Sequence, residues 1–328
     1  MAQSEPTISA QEWSSYQDRF VSADGRVIDD ANGNISHSEG QGYGLLLAFL
    51  AGDQAAFARI VNFTTTELMV REDALLAWRW EPEQTPHIVD SNNATDGDIL
   101  VAYALALAGY GWGRDDYLEL GRNIANDVGR EAVIRWRGHE IILPGAFGFE
   151  REDRADGPIV NLSYWVFEAF PVLSRLAPET DWTAIGQQGR RLIASSKLGA
   201  AQLPPDWISL ASGSPRPGDG FSPEFGYNGI RIPLYLIRAG HTEPALLGHF
   251  HDWTRKQGGL ATGLVESGRV IDMLEEPGYA AIAAALDCVL SNTPFPETLK
   301  TFSPTTYYAS TLHLLTLSHL RQTANSCL

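Results

Sequence analysis

A chain of 328 residues has room for one large domain or two average ones, and its 40 acidic against 24 basic side chains give a net charge of −16. That charge argues against nucleic acid, anionic lipid or any other polyanionic partner, because association would have to overcome repulsion, while a neutral or cationic polymer stays compatible. No apolar stretch approaches the roughly 20 residues that span a bilayer, and no linker, charge block or composition shift marks a boundary, so a single domain over 1–328 is expected.

The N-terminal Met1-Ala2-Gln3-Ser4-Glu5-Pro6 has neither the basic region nor the apolar core of a signal peptide. Ser38-Glu39-Gly40-Gln41-Gly42-Tyr43-Gly44 then runs into an apolar helix over 43–51 and sets a carboxylate at its entrance. A capping Ser38 and a dipole-favoured Glu39 explain the acid without chemistry. They leave three glycines unexplained, and glycines permit tight turns and close approach of a ligand. After an amphipathic stretch over 53–70 comes Ala94-Thr95-Asp96-Gly97-Asp98, two carboxylates ahead of a run that is apolar all round, Ile99 to Ala108. Such a run predicts a buried helix over 99–109. One Asp serves as its cap; two at the mouth of a core helix are costly unless hydrogen-bonded or used.

Further along, 115–129 is amphipathic, and alternation over 132–143 around Arg137-Gly138-His139 predicts a small hairpin. Apolar helices are expected over 162–175, 229–239, 280–290 and 307–320, with amphipathic stretches over 183–197 and 243–256. Six buried helices alternating with about six amphipathic ones suit two concentric helical rings, an all-α arrangement. Glu39, Asp96 with Asp98, Tyr164, Glu224 with Asn228, Glu275 with Tyr279, and Tyr307 with Tyr308 all fall at or just before the entrance of an inner helix. Parallel inner helices would gather them into one cleft lined with carboxylates and rings.

Other chemistries lack their signatures. His37, His87, His139, His241, His249 and His251 show no i, i+4 pairing with a carboxylate, and there is no phosphate loop or dinucleotide fingerprint, so neither metal nor cofactor is expected. Cys288 and Cys327 are compatible with a bridge in an oxidising compartment, which the sequence does not establish.

Ser-Glu-Gly-Gln-Gly-Tyr-Gly at 38–44, Asp-Ser-Asn-Asn-Ala-Thr-Asp-Gly-Asp at 90–98, Asn-Leu-Ser-Tyr at 161–164, Pro-Asp-Trp at 205–207 and Tyr-Asn-Gly-Ile-Arg at 227–231, in this order, resemble the landmarks of glycoside hydrolase family 8. The pattern is nearest to the endoglucanases that accompany bacterial cellulose synthases, and it extends from about Trp13 to Tyr308. The resemblance implies an (α/α)6 barrel of six inner and six outer helices. It also implies inverting hydrolysis of internal β-1,4 bonds in a cellulose-like glucan, without a cofactor, by a monomer. A periplasmic or secreted mature chain associated with a cellulose synthase complex would fit it.

The resemblance maps the general acid onto Glu39 and places Asp96 at the cleavage point, against sugar and water, with Tyr164 near the reacting ring. A helix N-terminus lowers a carboxyl pKa, so burial or the charge of Asp96 is expected to keep the proton on Glu39. Asp98 is expected to cap or support. Many members carry an Asp as general base where this chain has Asn228, which cannot accept a proton at ordinary pH. Asp96, Glu224 and Asp219 are the replacement candidates, Asp96 first. Arg231 could hold a carboxylate or sugar hydroxyl bidentately, and Trp80, Trp207 and Tyr227 could stack on sugar faces. A chitosanase or xylanase would share acid and barrel, and the acidic surface suits cationic chitosan. From other classes, a non-catalytic glucan-binding protein would explain Asn228, and a polysaccharide lyase ranks last because no cluster of bases for a uronate is evident.

Overall fold

The computed structural model describes residues 5–323 and Cys327, and within them the chain is mostly helical. The helix expected from 43 begins earlier and spans Ser38–Leu50. The one expected over 99–109 spans Thr95–Trp112. Both are buried almost all round, as a helix without a polar face must be, and Pro277–Ser291 and Tyr307–Thr323 behave alike. The other two apolar helices are broken. A single turn, Leu162–Tyr164, precedes the helix Phe170–Leu176, and another, Gly229–Arg231, leads into Ile232–Arg238. Pro171 and Pro233 account for the breaks: a proline lacks the amide donor, so it sits in a first turn rather than inside a helix.

Gln54–Phe63, Asp115–Glu131, Trp182–Ser195 and Pro244–Gln257 bury one face each, and each packs against the apolar helix that precedes it. A further amphipathic helix, beyond those expected, spans Ala10–Phe20; it starts at a reciprocal Ser9/Glu12 cap and buries Trp13, Tyr16 and Phe20. The expected hairpin forms from Val133–Trp136 and His139–Ile142. It turns through Arg137 and Gly138, both with positive φ.

The all-α expectation needs correction, because three more small antiparallel sheets are present. Ser36–His37 pairs with Arg79–Trp80; Ile208–Ser209 lies between Ile159–Val160 and Arg216–Pro217; Ala261–Leu264 lies between Glu224–Phe225 and Val270–Met273. Strands of two to four residues are too short to show a period of two.

The glycines of 38–44 make no turn. A Cβ on Gly42 would sit 2.5 Å from Leu100 Cβ, and one on Gly97 would sit 2.1 Å from Ser38 Oγ. Their absence lets the Ser38–Leu50 and Thr95–Trp112 helices close on each other, which brings the entrances carrying Glu39 and Asp96 together. Cys288 and Cys327 form a disulfide that ties the helix Pro277–Ser291 to the chain end. No described helix is long and apolar enough to cross a membrane.

Candidate active site

The entrances of the helices Ser38–Leu50, Thr95–Trp112 and Tyr307–Thr323 meet the turns Leu162–Tyr164 and Gly229–Arg231 around one cavity of about 340 Å³. Glu39, Asp96, Tyr164, Trp207, Tyr227, Asn228 and Arg231 all line it. The Tyr307-Tyr308 pair lines it as well, whereas Glu275 is exposed and lies outside.

Arg231, only 1% exposed, lies between two acids. Its Nη1 donates to Glu39, 192 positions away in the chain, and its Nη2 donates to Asp96 Oδ2 at 2.5 Å and to Ser163 Oγ at 3.1 Å. One cation for two carboxylates leaves the trio with an excess negative charge, which a buried site resolves by holding a proton. Burial pushes Glu39 up, but Arg231 and then His37 outweigh it and hold this carboxyl below the usual range. Asp96 goes the other way: burial, opposed by Arg231 and reinforced by the charge of Glu39, raises it to about 7. The expected direction is therefore reversed. In this arrangement the proton of the pair sits on Asp96, because Arg231 and His37 both favour charge on Glu39.

The cap of the Glu39 helix also differs from the expected Ser38. His37 Nδ1 accepts the Gly40 N–H at 3.0 Å, while its Nε2 lies 3.5 Å from Asp29 Oδ2. Ser38 Oγ, Tyr307 OH and Arg231 Nε are buried without hydrogen-bond partners among the described residues. Asp98 ties the helix mouth to its surroundings. It accepts from Leu76 N and from Asn93 Nδ2, both at 2.8 Å, and burial pushes it up to about 7.

Trp207 stacks on Phe221 at 4.7 Å and meets Tyr164 edge-on at 6.3 Å. Tyr227 is 49% exposed, with its hydroxyl 3.0 Å from Asp272 Oδ2. Three expected residues lie elsewhere. Trp80 donates to Glu67 and stacks on His87 at 4.2 Å, outside the cavity that Trp78 lines instead. Asp219 has a 70% exposed side chain paired with Arg216, and Glu224 sits on the strand Glu224–Phe225 without lining the cavity. Neither is placed to serve as a base in this arrangement.

Asp206, in the Pro205-Asp206-Trp207 block, is a further member of the site with no expected role. It is 6% exposed and accepts from Gly226 N at 2.8 Å, Gly229 N at 2.9 Å, and both Asn228 N and Asn228 Nδ2 at 3.3 Å. Burial raises its pKa against those N–H groups. Asp29, Asn32, Ile35 and Trp78 complete one wall from loops that carried no motif. Among the described residues no three His, Cys, Asp or Glu side chains cluster as a metal site would require.

Residues 1–322 match the family model for glycosyl hydrolases family 8. A probable endoglucanase of Novacetimonas hansenii is 35% identical over 283 residues, covering 85% of this chain and 82% of its own. An endoglucanase of Cellulomonas uda is also 35% identical, over 251 residues, covering 76% and 69%. The structure of the endo-β-1,4-glucanase CMCax from Acetobacter xylinum superposes with a TM-score of 0.86 at 33% identity, covering 96% of this chain and 98% of that one.

Proposed function

The chain belongs to glycosyl hydrolase family 8, and from that premise we propose that it is an endo-β-1,4-glucanase, hydrolysing internal bonds of a cellulose-like chain by direct displacement with water. The observation that carries the reading is the convergence of Glu39 and Asp96 on Arg231 in a cavity walled by Trp207, Tyr227 and the Tyr307-Tyr308 pair. Relatives at this similarity that are endoglucanases over most of both chains support it. Alternating apolar and amphipathic helices, with the site at one set of entrances, suit the (α/α)6 barrel of that family.

Glu39 is assigned as the general acid. Asp96 acts beside it: both acids are bound by the same guanidinium and lie within hydrogen-bond reach of each other, so no water fits between them as it does between an acid and base about 6.5–9.5 Å apart in an inverting site. Of the two roles expected of Asp96, contact with the sugar at the cleavage point and service as the base, this favours the first. A sugar hydroxyl donating to Asp96 stabilises its charged form, and the proton of the coupled pair then passes to Glu39, from which the leaving oxygen takes it. Tyr164 is kept neutral by burial and next by the charge of Asp96, so its hydroxyl remains a donor for the reacting ring. Trp207 and Tyr227 offer faces for uncharged sugars.

The disulfide favours an oxidising compartment, in keeping with a periplasmic or secreted, monomeric, single-domain enzyme. A place beside a cellulose synthesis system rests on the motif pattern of residues 38–44 and 90–98.

Viscosity and reducing ends of carboxymethyl cellulose test the reading, with Glu39→Gln as control and chitosan and xylan as competing substrates. A fast viscosity fall with few new ends, lost in the control, is expected. Hydrolysis of chitosan or xylan alone would move the substrate; no hydrolysis by either protein would make this a glucan-binding protein.

A further inference from the structure

With Asp96 beside the acid and Glu224 and Asp219 outside the cavity, another group must aim the attacking water. Asn228 lines the cleft, and its side-chain amide is hydrogen-bonded to Asp206. Asp206 is a carboxylate whose hydrogen-bond partners include no cation. Oδ1 accepts from Gly226 N and Gly229 N, and Oδ2 accepts from Asn228 N and Nδ2. A Cβ on Gly226 would fall 2.5 Å from Asp206 Oδ2, so the segment 226–229 closes around this carboxylate only because position 226 has no side chain.

An ionised carboxylate only accepts hydrogen bonds, whereas an amide donates through nitrogen and accepts through oxygen. The face of Asn228 turned to Asp206 must therefore be its NH2. Oδ1 is left as an acceptor with no hydrogen-bond partner among the described residues, on a side chain that lines the cleft.

We infer that Asp206 is a positioning residue for hydrolysis: it fixes the Asn228 amide with Oδ1 toward the cleft, and Oδ1 holds the water that attacks the anomeric carbon. The bond from that water to the anomeric carbon forms as the bond to the leaving oxygen breaks, Glu39 supplies the leaving oxygen's proton, and the proton shed by the water passes to solvent in the cleft, from which the Glu39–Asp96 pair is reprotonated. This rests on the glucanase reading above. It explains how a chain with Asn in place of the family's Asp keeps an acceptor at that point. An oxocarbenium-like transition state needs a water held in line, and misplacing a reacting group by about 1 Å can cost about 10²-fold.

The consequence is a donor–acceptor exchange. Asp206→Asn keeps an oxygen for the Gly226 and Gly229 N–H groups but takes the acceptor from the Asn228 N–H and turns an NH2 toward the Asn228 side chain, whose amide flips and presents NH2 to the cleft. Asn228→Asp alone sets a second carboxylate at the 3.3 Å contact and repels Asp206. The double variant Asp206→Asn/Asn228→Asp restores one donor facing one acceptor, with a carboxylate oxygen toward the cleft.

The test is a double-mutant cycle of kcat and KM on carboxymethyl cellulose, with melting temperatures recorded alongside. Asp206→Asn is expected to lower kcat by about 10²-fold with KM within about threefold, and the double variant to exceed both single variants in kcat by about tenfold or more. A double variant no better than Asn228→Asp, or a wild-type kcat in Asp206→Asn, overturns the inference, since a purely structural Asp206 gives no reciprocal rescue. Should Asp206→Asn fail to fold, Asn228→Ala takes its place. It leaves the three backbone bonds to Asp206 intact and must still lower kcat, and a wild-type kcat there overturns the inference as well. Absence of turnover in the wild type would instead overturn the glucanase reading itself.

Discussion

On the Glu39 flank of the cleft two carboxylates share one guanidinium, whereas on the Asn228 flank a single carboxylate is held by N–H groups and no cation. The first arrangement is electrically unbalanced, so a proton is retained near neutrality and can change owner when a sugar arrives. The second fixes which face of an amide looks into the cleft. A charged cluster is suited to proton transfer, and a cradle of backbone donors is suited to orientation. Glu39, Asp96 and Asn228 stand at the entrances of buried helical segments, whereas Asp206 comes from the loop ahead of the strand Ile208–Ser209.

The contrast is open to breakage in four ways, largest first. Glu39→Gln should lower kcat by about 10²–10⁴-fold, the range of a general acid, measured as reducing ends from carboxymethyl cellulose. A loss smaller than that of Asn228→Ala would put the more important group on the wrong flank. Arg231→Met removes the one cation hydrogen-bonded to both Glu39 and Asp96 among the described residues and should cost about 3–5 kcal/mol of stability in urea denaturation. Asn228→Ala, which strips no buried charge of its partner, should cost far less, and equal costs would erase the distinction.

Stability against pH sharpens the same flank. Asp96 and its neighbour Asp98 are both raised to about 7, above the roughly 4 of an unfolded Asp. At these two sites the folded state therefore binds more protons than the unfolded one between about pH 4 and 7, so the stability these acids contribute is full below that window and is lost as pH rises through it. Asp98→Asn removes one of the two and should flatten the slope of melting temperature over this range. An unchanged slope would show that Asp98 is not held protonated. The smallest effect belongs to the rings: Trp207→Ala should raise KM about 2–10-fold through lost stacking, while Trp80→Ala, outside the cavity, should leave KM unchanged.

Much of the fold was legible because the apolar helices have no polar face, a pattern that only burial satisfies. The breaks at Pro171 and Pro233 were legible in principle from the proline rule. The two-residue strands were not, since pairing over so short a span depends on tertiary placement. Within the site, Glu39, Asp96, Asn228 and Arg231 stood in blocks at helix entrances, and the structure brings those entrances together. Asp206 was hidden by its setting: its partners Gly226, Asn228 and Gly229 lie 20 to 23 positions on, and no local pattern links them. The direction of the Glu39–Asp96 proton was likewise beyond sequence, because it depends on Arg231 and His37 arriving on the Glu39 side.

Water held by the Asn228 amide that displaces the leaving sugar directly, while Glu39 protonates that sugar's oxygen, inverts the anomeric centre. Proton NMR of a cello-oligosaccharide digest in its first minutes, before mutarotation, reads this directly. α-Anomeric reducing ends are expected to appear first. β-Anomeric ends appearing first would require a covalent intermediate on a carboxylate and would contradict direct displacement.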